Sequence, residues 1–165
     1  MKSTTLRESK CGAVMAIVFA IVAMTVPAQD TGVAVRGLTG VWEVKTTPRD
    51  CATGEPIPAA AFEALYTFQK DGTIISWYSS GTPSTGHGLW RRENGWNDYS
   101  FRLVRILRTT AGVFSGKGEI GGILTLSESG DEYTSDEYTI TYNIDGIPGT
   151  PRCINSVGTR YRLNP

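Results

Sequence analysis

The chain has 165 residues, 40% of them hydrophobic and 19% charged, with 16 Lys+Arg against 16 Asp+Glu and 19 glycines. Those values describe one domain of modest size with enough apolar residues for a core. They exclude a collagen, a disordered acidic tail, a coiled coil and a dense disulfide scaffold.

The first 28 residues read as an export signal. Lys2, Arg7 and Lys10 form a basic start, and Gly12 to Met24 is an apolar run. Val26-Pro27-Ala28 offers a small-x-small cleavage pattern, with Gln29 as the expected new N-terminus. The apolar run falls short of the ~20 residues a spanning helix wants. Cleavage leaves 13 Lys+Arg against 15 Asp+Glu, without the basic stripe that nucleic acid requires. No later stretch approaches membrane-spanning length. The expected location is therefore periplasmic or secreted, with no nucleic-acid partner and no membrane contact after cleavage.

Residues 29–38 form a short N-terminal arm, and the domain proper is expected over 39–165. The dipeptides Asp71-Gly72, Asn94-Gly95, Ala111-Gly112, Gly130-Asp131 and Asp145-Gly146 separate β-rich stretches. Together with residue alternation they give eight predicted strands, near 39–47, 63–70, 73–79, 87–92, 97–108, 113–127, 132–143 and 152–163. Only Ala59 to Leu65, after Pro56 and Pro58, could make a helical turn, and no segment has a sustained 3.6-residue apolar period.

Alternation assigns the faces. Trp42, Val44 and Thr46 share one face of the first strand; Phe62, Ala64, Tyr66 and Phe68 share one face of the second. The third, Ile74-Ile75-Ser76-Trp77-Tyr78, is apolar on both sides. Tyr99, Phe101 and Leu103 define the inner face of the fifth, and Arg105 shares their parity, so it points inward and needs a partner. In the seventh, Tyr138, Ile140 and Tyr142 oppose Glu137, Thr139 and Thr141. One apolar face per strand suits a sheet with one buried side. Gly116, Gly118, Gly121 and Gly122 in the sixth strand suggest a bulge or a sharp bend. The expected fold is all-β, an eight-stranded antiparallel up-and-down barrel that removes exposed edges. An open two-sheet sandwich is the alternative.

Export leaves Cys51 and Cys153, and an even count in an oxidising compartment reads as a disulfide. Cys51 follows the first strand and Cys153 begins the last, and these strands meet at the seam of an up-and-down barrel. The two cysteines with the sole histidine do not make a structural zinc site, so no metal is expected.

Gly40-Val41-Trp42 opens the first strand as Gly-x-Trp, and here the chain resembles the calycin superfamily of lipocalin- and avidin-type barrels. It also resembles small exported bacterial proteins of that barrel type. The resemblance implies that Trp42 plugs one barrel end and that a basic residue of the last strand packs across it. Arg160 is the first choice for that role and Arg162 the second. The other lipocalin loop motifs are absent, and fold alone does not settle function.

His87, in a Gly/Ser/Thr/Pro-rich stretch read as a loop entering the fourth strand, is the candidate for proton transfer. The alternative is a surface histidine bonded to its own loop. No nucleophile elbow, metalloprotease motif, phosphate loop or dinucleotide fingerprint occurs, and no cofactor is expected. Aromatic walls with polar tips suit a small-ligand pocket. The candidate ligand-binding residues are Tyr66, Trp77, Trp90, Tyr99, Arg105, Tyr138 and Tyr142. A small barrel of this size either fills its interior with side chains or holds one small ligand. Arg91, Arg92, Arg102, Arg105 and Arg108 could form a basic patch, or an outer face balanced by Glu119, Glu132 and Glu137. The expected function is an exported barrel that binds a small hydrophobic or amphipathic ligand or a protein partner. The alternatives are a cyclase- or isomerase-like barrel enzyme with His87 at its mouth, and an exported protease inhibitor that inserts its N-terminal arm.

Overall fold

The computed structural model describes residues 37–79 and 84–162. The predicted signal over 1–28 and most of the arm over 29–38 lie outside the described residues. Eight antiparallel strands follow in chain order: β1 Gly40–Arg49, β2 Phe62–Phe68, β3 Thr73–Tyr78, β4 Ser84–Arg92, β5 Asp98–Arg108, β6 Phe114–Leu126, β7 Glu132–Tyr142 and β8 Arg152–Arg160. Each pairs with its sequence neighbour, and β1 pairs with β8 to close the barrel. Of the helical turn expected over Ala59–Leu65 only a 3-10 turn over Pro58–Ala60 forms, because the alternating residues from Phe62 onward belong to β2. Among the described residues no helix is long and apolar enough to cross a membrane.

The seam joins chain ends in register. Trp42 faces Arg160 and Arg49 faces Cys153 across the β1–β8 ladder. Cys51 and Cys153 lie at disulfide-bonding distance, with Cα atoms 5.2 Å apart. The register of β5 against β6 shifts at Leu107/Arg108, opposite the Gly116 end of β6. That bulge is the kind of bend the β6 glycines signal.

One end of the barrel is closed. Trp42 is fully buried, and its indole N–H donates to the Leu38 carbonyl at 2.9 Å. The Arg160 guanidinium lies 4.2 Å from the centre of the Trp42 ring and donates to the carbonyls of Thr39 and Gly130 at 2.7 and 2.8 Å. Tyr133 packs against Trp42 with ring centroids 5.0 Å apart. A side chain at Gly158 would enter the Tyr133 ring, so the bare backbone there admits the phenol. Phe68, Leu124, Leu126 and Leu38 complete a dry layer.

Toward the other end the inward side chains become small and polar. Thr46, Ala64, Ser76, Ser135 and Ser156 are all buried. A barrel interior thins out where small residues replace large ones. The fold thus plugs one end with aromatics and leaves room at the other.

Candidate functional site

The room at the open end is a cavity of about 630 Å³. Its apolar wall includes Phe62 from β2, Ile120 from β6, Ile154 from β8, and Ile57 and Pro151 from the loops at the rim. Its polar lining includes Thr46, Tyr78, Arg105 and Glu137. Cys51 and Cys153 also line it, so the paired cysteines sit at the mouth.

Glu137 is the acid of the floor. It is buried, and its carboxyl accepts hydrogen bonds from the Ser135 hydroxyl at 2.7 Å and the Tyr66 hydroxyl at 3.3 Å. Tyr66 in turn meets the Tyr78 hydroxyl at 3.1 Å. Burial raises the pKa of Glu137 above the ordinary carboxylate range; the hydroxyls of Ser135, Ser156 and Tyr66 around it, two of them hydrogen-bonded to the carboxyl, oppose that rise without cancelling it. Burial likewise pushes Tyr78 up to about 12 and raises Tyr66 well above a free phenol. Among the described residues the Tyr133 hydroxyl is buried without a hydrogen-bond partner. The barrel floor is therefore a polar cluster in a low-dielectric place, where each interaction is stronger than in water.

The raised carboxyl makes a stability prediction. Below about pH 4.5 both folded and unfolded chains hold this proton. As pH rises from there the unfolded chain releases it first, so the folded state binds more protons and its stability falls. Glu137→Gln removes that slope while keeping the shape. In thermal melts at about pH 5 and about pH 8 the variant should gain on the wild type as pH rises. A constant difference between the two would show that Glu137 ionises as freely in the fold as in water.

Tyr66, Trp90, Tyr99 and Arg105 face inward, but only Arg105 lines the cavity. Tyr66 lies beneath it in the floor network. Trp90 and Tyr99 pack together near the closed end with centroids 5.7 Å apart, and the Trp90 indole donates to the Gln69 carbonyl at 2.9 Å. Trp77, Tyr138 and Tyr142 lie on the outside of the barrel, which corrects their assignment to an inner wall. Trp77 alternates with the buried Ser76 and Tyr78 and is 43% exposed. In β7 the inward series is Tyr133, Ser135, Glu137 and Thr139, so Tyr138 and Tyr142 take the other face. Tyr138 lies over Gly121 on that outer surface, and Tyr142 carries the Lys117 ammonium 4.7 Å from its ring centre. Aromatic alternation in β7 marks covered outer surface, not core.

His87 is also corrected in place. β4 starts at Ser84 and not at the predicted 87, so His87 stands within the strand and not at the end of a loop that enters it. Its neighbour Gly86 is buried, which turns the imidazole outward between Ile75 and Val104, exposed and away from the mouth.

The arginines do not form one patch. Arg91 pairs with Glu93 at 2.7 Å, and Arg102 pairs with Glu119 on the outside. Arg108 donates to the Gly112 carbonyl, and Arg92 lies 5.5 Å from the centre of the Tyr99 ring. Of the three glutamates read as balancing charges, Glu119 and Glu132 are outside and Glu137 is within the barrel.

Glu137, Tyr78, Thr46 and Phe62 were not among the candidate ligand residues. Tyr133 carried the usable signal: a tyrosine in phase with Ser135 and Glu137 at the head of β7. Among the described residues no group of three or more His, Cys, Asp or Glu side chains is placed to hold a metal. No protein-family model matches the chain, and no curated protein matches it.

Proposed function

We propose that the protein is an exported, calycin-like barrel that binds a small amphipathic molecule in the cup at its open end. One observation carries this reading: apolar walls enclose about 630 Å³ above a floor of convergent polar groups. Ligand pockets share that make-up, with apolar area for affinity and a few placed polar groups for orientation. The Gly40-Val41-Trp42 opening and the Arg160 stack on Trp42 support the calycin relationship. The cysteine pair supports an oxidising compartment.

Native mass spectrometry of protein purified from its own host tests it. The expected spectrum shows a chain beginning at Gln29 and carrying a small molecule. Phe62→Ala should weaken that complex by ~1–3 kcal/mol through lost apolar contact, whereas Tyr138→Ala, outside the barrel, should leave it unchanged. A bare mass, together with no uptake of any added amphiphile, would remove the cup reading.

A second reading is favoured by the buried Glu137 with its Tyr66–Tyr78 contact. A carboxyl with a raised pKa inside a ligand cup is the kind of group that moves protons at neutral pH. If the barrel is an enzyme, that role falls to Glu137 and not to the outward His87. A turnover lost in Glu137→Gln and retained in His87→Ala would establish it. The inhibitor reading has less support, because Leu38 is buried and the Leu38 and Thr39 carbonyls are engaged in closing the barrel.

A further inference from the structure

We propose that the ligand of the cup carries a carboxylate head, held by Arg105, with its apolar body against Phe62, Ile120 and Ile154. This rests on the cup reading above and adds the chemical class of the ligand.

Arg105 follows Tyr99, Phe101 and Leu103 on the inner face of β5 and reaches the cavity. Its position is built by two neighbours. Gly118 on β6 leaves the space in which the side chain lies; a Cβ there would stand 3.1 Å from the Arg105 Nε. The Tyr78 ring supports the guanidinium from one side, with its centre 4.9 Å away. Yet the Nε is buried without a hydrogen-bond partner. Among the described residues Arg105 enters no ion pair; neither do Arg92, Arg108 and Arg152, of which only the exposed Arg152 also lines the cavity. The acid on the same lining, Glu137, is turned to Ser135 and Tyr66.

A buried donor without an acceptor is destabilising, and a cation in that state more so. A ligand carboxylate supplies acceptors to a guanidinium that has none among the described residues, and its two oxygens match the planar fork. Arg49 and Arg152 also line the cup, but Arg49 is paired with Asp136 and Arg152 is exposed, whereas the Arg105 guanidinium stands over the Tyr78 ring on the inner face.

The test is titration calorimetry of the full-length chain with laurate, dodecanol, dodecyl phosphate and dodecylamine, which share one tail. Laurate should bind about 10- to 100-fold more tightly than dodecanol, the range for one charge-assisted contact. Arg105→Met should abolish that preference and leave dodecanol binding in place, which also shows that the cup has folded. If that variant fails to fold, Arg105→Lys should give an intermediate preference, since it keeps the charge and loses the fork. Equal binding of laurate and dodecanol to the wild type would overturn the proposal and leave the cup standing. So would tightest binding of the phosphate or the amine. Binding of none of the four would remove the cup reading and this proposal with it.

Discussion

Trp42→Ala is expected to destabilise the barrel by ~3–5 kcal/mol, the range for truncating a large buried aromatic. The indole has no exposed surface, so its whole apolar area is lost. The cavity left behind would be bounded by Tyr133, whose ring centroid lies 5.0 Å away, and by the Arg160 guanidinium. Arg160 makes the loss worse than area alone suggests. Its side chain is only 7% exposed, and without the indole face it loses a cation–π contact of ~0.5–2 kcal/mol while its charge stays buried. The Leu38 carbonyl also loses its donor. All of this occurs at the closed end, so the variant should lose stability and not ligand preference. Thermal unfolding checks it, and an unchanged melting temperature would place Trp42 outside the structural core.

The fold was legible because its determinants are local. Each Gly-containing turn between strands can be read without knowing which strands pair, and the cysteine positions at the end of β1 and the start of β8 indicated how the barrel closes. Arg105 was legible by simple parity from Phe101 and Leu103. The floor of the cup was not, and β7 shows why. Tyr138, Ile140 and Tyr142 make the more apolar alternation, but the barrel turns that series outward, where Tyr138 covers Gly121. Inside it places Ser135 and Glu137, because a cavity floor needs small and polar groups where a packed core would need aliphatics. Hydrophobic alternation identifies the inner face only when the interior is filled. The same effect displaced Trp77, whose strand is apolar on both sides. His87 was misplaced for a different reason: the Gly/Ser/Thr/Pro-rich stretch up to Gly86 looks like a loop, yet from Ser84 on it is strand, with Gly86 and Gly88 both on the inner face. Side chains at either would press on β5, against Leu103 Cδ1 for Gly86 and the Arg102 carbonyl for Gly88.

Breaking the Cys51–Cys153 bond, by reduction or by the double substitution Cys51→Ser and Cys153→Ser, is expected to cost ~2–5 kcal/mol, as for native disulfides in small exported domains. The two cysteines are 102 residues apart in sequence, so the bond closes the six strands β2 to β7 into one loop. A loop of that length restricts the unfolded chain strongly, by ~4.7 kcal/mol on the chain-entropy account. Nearby contacts hold the rim only in part. Asp50 accepts the backbone N–H groups of Ala52 and Thr53 at 2.7 and 2.8 Å, which shapes the turn that carries Cys51. Those bonds are local, and apart from the weak sulfur contact of Cys51 with the Pro151 carbonyl, it is the covalent bond that ties this turn to β8. Since Asp50, Cys51, Ala52 and Cys153 all line the cup, its mouth should lose definition along with the barrel's stability. The expected result is a lower denaturation midpoint together with weaker retention of the proposed ligand, the second persisting under conditions where the variant is fully folded. Equal midpoints for the oxidised and reduced chains would mean that the ladder between β1 and β8 closes the barrel unaided. Unchanged retention in the folded variant would mean that the walls from Phe62, Ile120 and Ile154 hold the ligand without help from the rim.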